Sequence, residues 1–207
     1  MRRVVCLALL ALLVALPAAA ANFSDADKAD LKRVSDYLNT LRSAEGHFLQ
    51  VGPDGRSDAG TFYLKKPGKM RFEYNQPNPN LIVADGTTIA VENSALKTTN
   101  RYPLLNSPLR LLLSDDVDLA TDSRISAIAR EPGALRVTAR QNDGPARGQI
   151  TLLFADSGAG LELRQWDVVD AQNLHTLVAL TELHAATDIS PKLFVIQDLS
   201  PFQKRSE

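Results

Sequence analysis

The sequence predicts a mainly β protein with helices, an antiparallel α+β fold of barrel, half-barrel or sandwich type. Three observations predict it. Short runs of strand-forming residues, several alternating apolar and polar, recur from about residue 46 to residue 183. Tight turns rich in Gly, Pro, Asn and Asp join consecutive runs. Only two segments carry helical signals, and no internal repeat or linker divides the chain.

At the N-terminus, Arg2 and Arg3 precede an uncharged apolar stretch over residues 4–16. Pro17 breaks it, and Ala18, Ala19, Ala20 and Ala21 follow. This is the pattern of a secretory signal peptide over residues 1–21, cleaved near Ala20 or Ala21. The stretch is shorter than the roughly 20 residues that a spanning helix needs. Residues 22–207 are expected to form a single domain. The one cysteine, Cys6, falls inside the leader, so the exported chain must hold its fold by packing, without a disulfide. Its length allows this, since a chain of this size buries roughly 70% of its surface on folding.

The first helix is expected over residues 24–42. Ser24 caps it, Asp25 and Asp27 favour its positive end, and Leu31, Val34, Leu38 and Leu41 make one apolar stripe. Residues 46–51 and 57–65 flank Gly52-Pro53-Asp54-Gly55, a hairpin turn. Residues 69–74 alternate, with Met70, Phe72 and Tyr74 on one face and Lys69, Arg71 and Glu73 on the other. Residues 81–84 and 87–92 flank Asp85-Gly86, a type I′ pair. Residues 95–102 follow as a strand. Ser107-Pro108 then starts a short, very apolar helix over residues 108–113, too apolar to lie alone on a wet surface. Five strands follow, over residues 124–130, 135–140, 149–154, 161–167 and 175–183, and a last one over 193–196. Among their turns are Asn142-Asp143-Gly144 and Pro132-Gly133.

Composition excludes several function classes. Lys and Arg total 23 and Asp and Glu total 24. No basic stripe with interleaved aromatics is present, so no nucleic acid partner is expected. The three histidines, His47, His175 and His184, have no metal-ligand partner at i+2 or i+4. No nucleophile elbow or phosphate-cradling glycine loop occurs. The expectation is a protein that is not an enzyme and needs no cofactor or metal. A monomer is expected.

One segment carries a family resemblance. It reads Gly60-Thr-Phe-Tyr-Leu-Lys-Lys66-Pro67-Gly-Lys-Met70-Arg-Phe72-Glu-Tyr74, then Gln76-Pro77, then Leu81-Ile-Val-Ala-Asp85-Gly86. The order is a glycine-led strand, a basic residue before proline, an aromatic-rich strand, Gln-Pro, and an apolar strand closing on Asp-Gly. In this it resembles the outer-membrane lipoprotein carrier family, LolA. The Pro108 helix falls where that family has a lid helix.

The resemblance implies an incomplete, strongly curved antiparallel β-barrel closed on its open side by helices. It implies a periplasmic chaperone that shields the acyl chains of lipoproteins in an apolar cavity. Its partners would be lipoproteins, an inner-membrane ATP-driven exporter and an outer-membrane acceptor. The alternative is a half-barrel carrier or sensor of another lipid or glycolipid. The expected cavity residues are Met70, near the mouth, with Phe72, Tyr74, Leu109, Leu112 and Leu113. The expected lid latch is Lys66 with Pro108. Lys66 stands where the family usually has an arginine, and its ammonium is expected to reach carbonyls at the C-terminal end of the Pro108 helix. Lys65 and Arg71 are weaker candidates. Ile89-Ala90-Val91 stands where relatives often carry aromatics, so an unusually aliphatic interior is expected.

Overall fold

A computed structural model describes residues 23–142, 147–158 and 160–199. The expected leader over residues 1–21 and the Asp143-Gly144 turn lie outside the described residues. Helix α1 (Asp25–Thr40) leads into β1 (Ser43–Val51), β2 (Ser57–Lys65), β3 (Lys69–Tyr74), β4 (Asn80–Asp85), β5 (Thr88–Asn93) and β6 (Thr98–Pro103). The one-turn helix α2 (Arg110–Leu113) follows. Then come β7 (Ile125–Glu131), β8 (Ala134–Gln141), β9 (Gly148–Asp156), β10 (Leu161–Val169) and β11 (His175–Ala185). No helix among the described residues is long and apolar enough to cross a membrane.

The eleven strands form one antiparallel sheet in the order β6-β5-β4-β3-β2-β1-β11-β10-β9-β8-β7. Two meanders are thus joined by the β1–β11 pair. Among the described residues β6 and β7 are free edges, so the sheet does not close. It is nevertheless strongly curved. Phe72 on β3 and Trp166 on β10 are four strands apart in the sheet, about 19 Å if it were flat. Their ring centroids are 6.0 Å apart. The sheet must fold back on itself for those rings to meet.

α1 starts as its residues dictate. The Ser24 hydroxyl accepts the Asp27 N–H, and the Asp27 carboxylate accepts the Ser24 N–H, a reciprocal cap. Leu31, Val34 and Leu38 are fully buried in the concave core with residues of β1–β3 and β8–β11. Tyr37 extends the contact: its hydroxyl accepts the Leu163 N–H of β10 at 3.0 Å. At the helix's other end, Arg130 of β7 binds Asp27 and Asp30, and Arg33 binds Asp156 of β9 in fork geometry.

Gly60 lets two layers of the core meet. A Cβ there would stand 2.0 Å from the Glu73 carbonyl oxygen and 2.7 Å from the Phe48 ring. The Phe48 ring occupies that space and packs edge-on against Phe72 and Tyr74.

Two expectations are corrected. The second helix begins at Arg110, later than residue 108. Ser107 and Pro108 instead make tight turns, their carbonyls accepting from Arg110 and Leu111, after a 3-10 turn over Leu104–Asn106. The expected last strand over 193–196 overlaps a 3-10 turn, Pro191–Phe194, capped by Ser190. Its residues do not join a sheet edge because Ile189 and Phe194 bury themselves with Val83 on the convex face. From there the chain crosses β2 to β6. Lys65 donates to the Ile189 carbonyl and Arg71 to that of Leu193. Glu92 accepts the Gln197 N–H, and Thr99 accepts that of Leu199.

Candidate functional site

The alternation of β3 places Met70, Phe72 and Tyr74 on the concave side, all buried. Phe72 lies at the centre of an aromatic cluster, with Phe48 at 4.8 Å and Phe62 at 5.0 Å between ring centroids. Trp166 closes the group against Phe62 and Phe72. Leu111, Leu112 and Leu113 of α2 and the stripe of α1 belong to the same buried cluster, and Leu109 packs against it half-buried. Sequence reasoning missed Phe48, Phe62 and Trp166. The alternation of Ala44, Gly46 and Phe48, and of Gly60, Phe62 and Leu64, was the available signal. Trp166 had none beyond its size.

Met70 is fully buried, with no exposed surface, and does not sit at a mouth. It lies within a row of cross-strand neighbours on the concave face. Leu64, Met70, Ala84, Ile89 and Tyr102 pair in register from β2 to the free edge at β6. Tyr74 keeps a polar handle in this interior, its hydroxyl donating to Gln50 Oε1 at 2.8 Å. Burial pushes the Tyr74 phenol up to about 12.

The turn between β2 and β3 joins both helices. The Lys66 ammonium donates to the Leu38 carbonyl of α1 at 2.8 Å. The backbone N–H of Gly68 donates to the Leu113 carbonyl of α2 at 2.8 Å. Gly68 has φ +73, and a Cβ there would stand 2.6 Å from Gly86 Cα. The expected bond from Lys66 to the second helix is therefore corrected. Lysine reaches the end of the first helix, and the main chain two residues on serves the second. Pro108 takes no part in this joint; its carbonyl accepts from Leu111 within the turn leading to α2. Lys65 and Arg71 point to the opposite face and hold the C-terminal segment.

Lys66 is a buried cation. Burial, and after it the Arg42 charge, lower its pKa to about 8, while Asp115 acts in the other direction. Arg42 donates to the Asp115 carbonyl at 2.7 Å and also pairs with the Asp115 carboxylate. Beyond it, the side chain of Asn39 forms two bonds with the Val117 backbone, both 2.9 Å. The Ser35 hydroxyl accepts the Leu119 N–H at 2.9 Å. Ser35 and Asn39, spaced i and i+4, share one face of α1, and Arg42 extends it just past the helix end at Thr40. That face grips alternate residues of the segment leaving α2.

A family profile described as "Outer membrane lipoprotein carrier protein LolA" matches residues 39–197. An outer-membrane lipoprotein carrier protein of Methylococcus capsulatus is 27% identical over 181 residues, covering 83% of this chain and 85% of that one. One from Alkalilimnicola ehrlichii is 28% identical, covering 83% and 80%. A crystal structure of a LolA superfamily protein from Nitrosomonas europaea aligns with 80% of this chain and 97% of its own, at TM-score 0.38 and 11% identity.

Proposed function

We propose that this chain, which belongs to the LolA family of outer-membrane lipoprotein carrier proteins, is a periplasmic chaperone for the acyl chains of lipoproteins. It takes them from an ATP-driven exporter in the inner membrane and yields them to an acceptor in the outer membrane. The observation that carries this reading is one apolar cluster shared by the concave face of the sheet and both helices.

The energetics favour a carrier that opens. An acyl chain of about 15 carbons costs roughly 12 kcal/mol to leave in water, at about 0.8 kcal/mol per methylene. In the closed state Met70, Phe72, Leu112 and Leu113 bury one another. Cargo must take the place of those contacts. The helices therefore act as a lid whose closure offsets part of the binding energy, so that cargo is held and still released. Met70, Phe72, Tyr74, Leu109, Leu112 and Leu113 line the space that opens. Lys66 and the Gly68 N–H fasten the lid.

The test is to isolate the protein from the periplasm and identify what it holds by mass spectrometry. Triacylated lipoprotein is expected. A free lipid or glycolipid in its place would replace the client; no acyl-bearing molecule under any condition would remove the carrier reading.

A further inference from the structure

We propose that acyl chains pass into the interior at the free edge of the sheet, between β6 and the turn leading to α2, over Tyr102 and Leu105. This rests on the carrier reading above and adds a route to it.

Two independent observations point there. The first is the row on the concave face. From Met70, without exposed surface, it runs through Ala84 to Ile89, 8% exposed, and ends at Tyr102, 55% exposed. Every member is apolar or aromatic. Among the described residues β6 has no strand on its outer side, so the apolar row runs unbroken from the sheet edge to the centre of the core. Leu105, 69% exposed, stands three residues past Tyr102. Leu104 between them is buried in the core cluster, and Leu109 packs on it. An exposed tyrosine and leucine leading directly into a buried row suit an acyl chain arriving from an apolar phase.

The second observation is how unevenly α2 is fastened. Its exit is bound at four successive places: Leu113 to Gly68, Asp115 to Arg42, Val117 to Asn39 and Leu119 to Ser35. On its approach, the Leu104 N–H bonds the Thr87 carbonyl at 2.8 Å. Over residues 105–109 the described backbone bonds stay within the segment, from Ser107 to Leu104 and from Leu109 to the Ser107 hydroxyl. Lifting the approach to α2 away from β6 breaks fewer bonds to other elements than freeing its exit from Gly68, Arg42 and α1. The side that parts most readily is the side on which the apolar row reaches solvent.

The test uses single-cysteine variants in a Cys6→Ser background, each modified with polyethylene glycol maleimide. The probe is cis-parinaric acid, whose fluorescence rises on transfer to an apolar site. Leu105→Cys is placed at the proposed route. Leu96→Cys, equally exposed at 72% on the β5–β6 turn, controls for modification of a surface leucine. Asp116→Cys stands on the α1 side. Circular dichroism of each modified variant checks the fold. Modification at Leu105 is expected to slow uptake by about tenfold or more, equivalent to about 1.4 kcal/mol. Uptake after modification at Leu96 or Asp116 should match the unmodified protein. Unchanged uptake at Leu105, or equal slowing at Leu96 or Asp116, overturns the route and leaves the carrier reading standing. Absence of uptake by the unmodified protein removes both.

Discussion

The Lys66 ammonium lies 2.8 Å from the carbonyl oxygen of Leu38, in the last turn of α1. That carbonyl has no helical partner, because the Arg42 N–H turns to Thr40 instead. A cation suits this end of a helix, where unpaired carbonyls carry partial negative charge. The family resemblance implies α2 for this bond; the fold delivers it to α1.

The first prediction is a titration. Lys66 is lowered to about 8, while a solvated lysine titrates near 10.4. Between these values the open chain holds a proton that the closed one has released. Closure is therefore favoured progressively as pH rises from about 8 to about 10, and below about 8 the buried charge opposes it in full. Carbon-13 NMR of labelled lysine side chains should show one resonance with a midpoint near 8. All midpoints above about 10 would place Lys66 in solvent.

Lys66→Leu should load and then deliver poorly. It leaves the Leu38 carbonyl buried without a donor, which costs about 1–3 kcal/mol and weakens closure. Transfer from purified loaded carrier to an outer-membrane acceptor should slow by about tenfold. Lys66→Arg should restore delivery, because the guanidinium supplies a donor for the Leu38 carbonyl again. Delivery by Lys66→Leu at the unmodified rate would show that leucine packing alone closes the lid.

Met70 lies under full cover, so its substitutions report on packing as well as cargo. Met70→Glu should abolish uptake and also lower the urea midpoint, since a carboxyl there must be desolvated. Met70→Ala should cost about 2–5 kcal/mol of stability. Met70→Leu, nearly equal in volume, should keep both fold and uptake. Loss of uptake by Met70→Leu at unchanged stability would point to a role for the thioether itself.

Asn39→Ala should loosen the segment leaving α2. Both 2.9 Å bonds to Val117 vanish, and the Val117 amide should exchange with solvent at least about tenfold faster, reporting a local opening rather than global unfolding. Unchanged exchange at Val117 would show that the segment is held by its apolar residues alone.

Gly60→Ala should destabilise the fold by about 3 kcal/mol or more, the range of severe steric insertion. The new methyl meets a backbone oxygen, which cannot step aside as a side chain can. Urea unfolding measures this directly.

Much of this was legible in the residues. Met70, Phe72 and Tyr74 alternate with Lys69, Arg71 and Glu73, and a half-buried strand has only one way to arrange them. The Ser24 cap and the Leu31, Val34, Leu38 stripe named the helix and its inner face. What was hidden depended on pairing distant elements. Lys66 has two helix ends within reach, and nothing local says which carbonyl it meets. Ser35, Asn39 and Arg42 read as an ordinary polar face until a strand-like segment lies on them. Residues 193–196 carry apolar side chains that suit a strand, yet burial with Val83 gave them a better place than an edge.

The C-terminal segment has a mechanical consequence. By tying side chains of β2, β3, β5 and β6 to one stretch of main chain, it splints one half of the sheet from outside. Strand spacing in that half is then stiff, and the row from Leu64 to Tyr102 behaves as a rigid rail. No such splint covers β8, β9 and β10 among the described residues. On the carrier reading proposed above, room for cargo must then come from elements outside this splint.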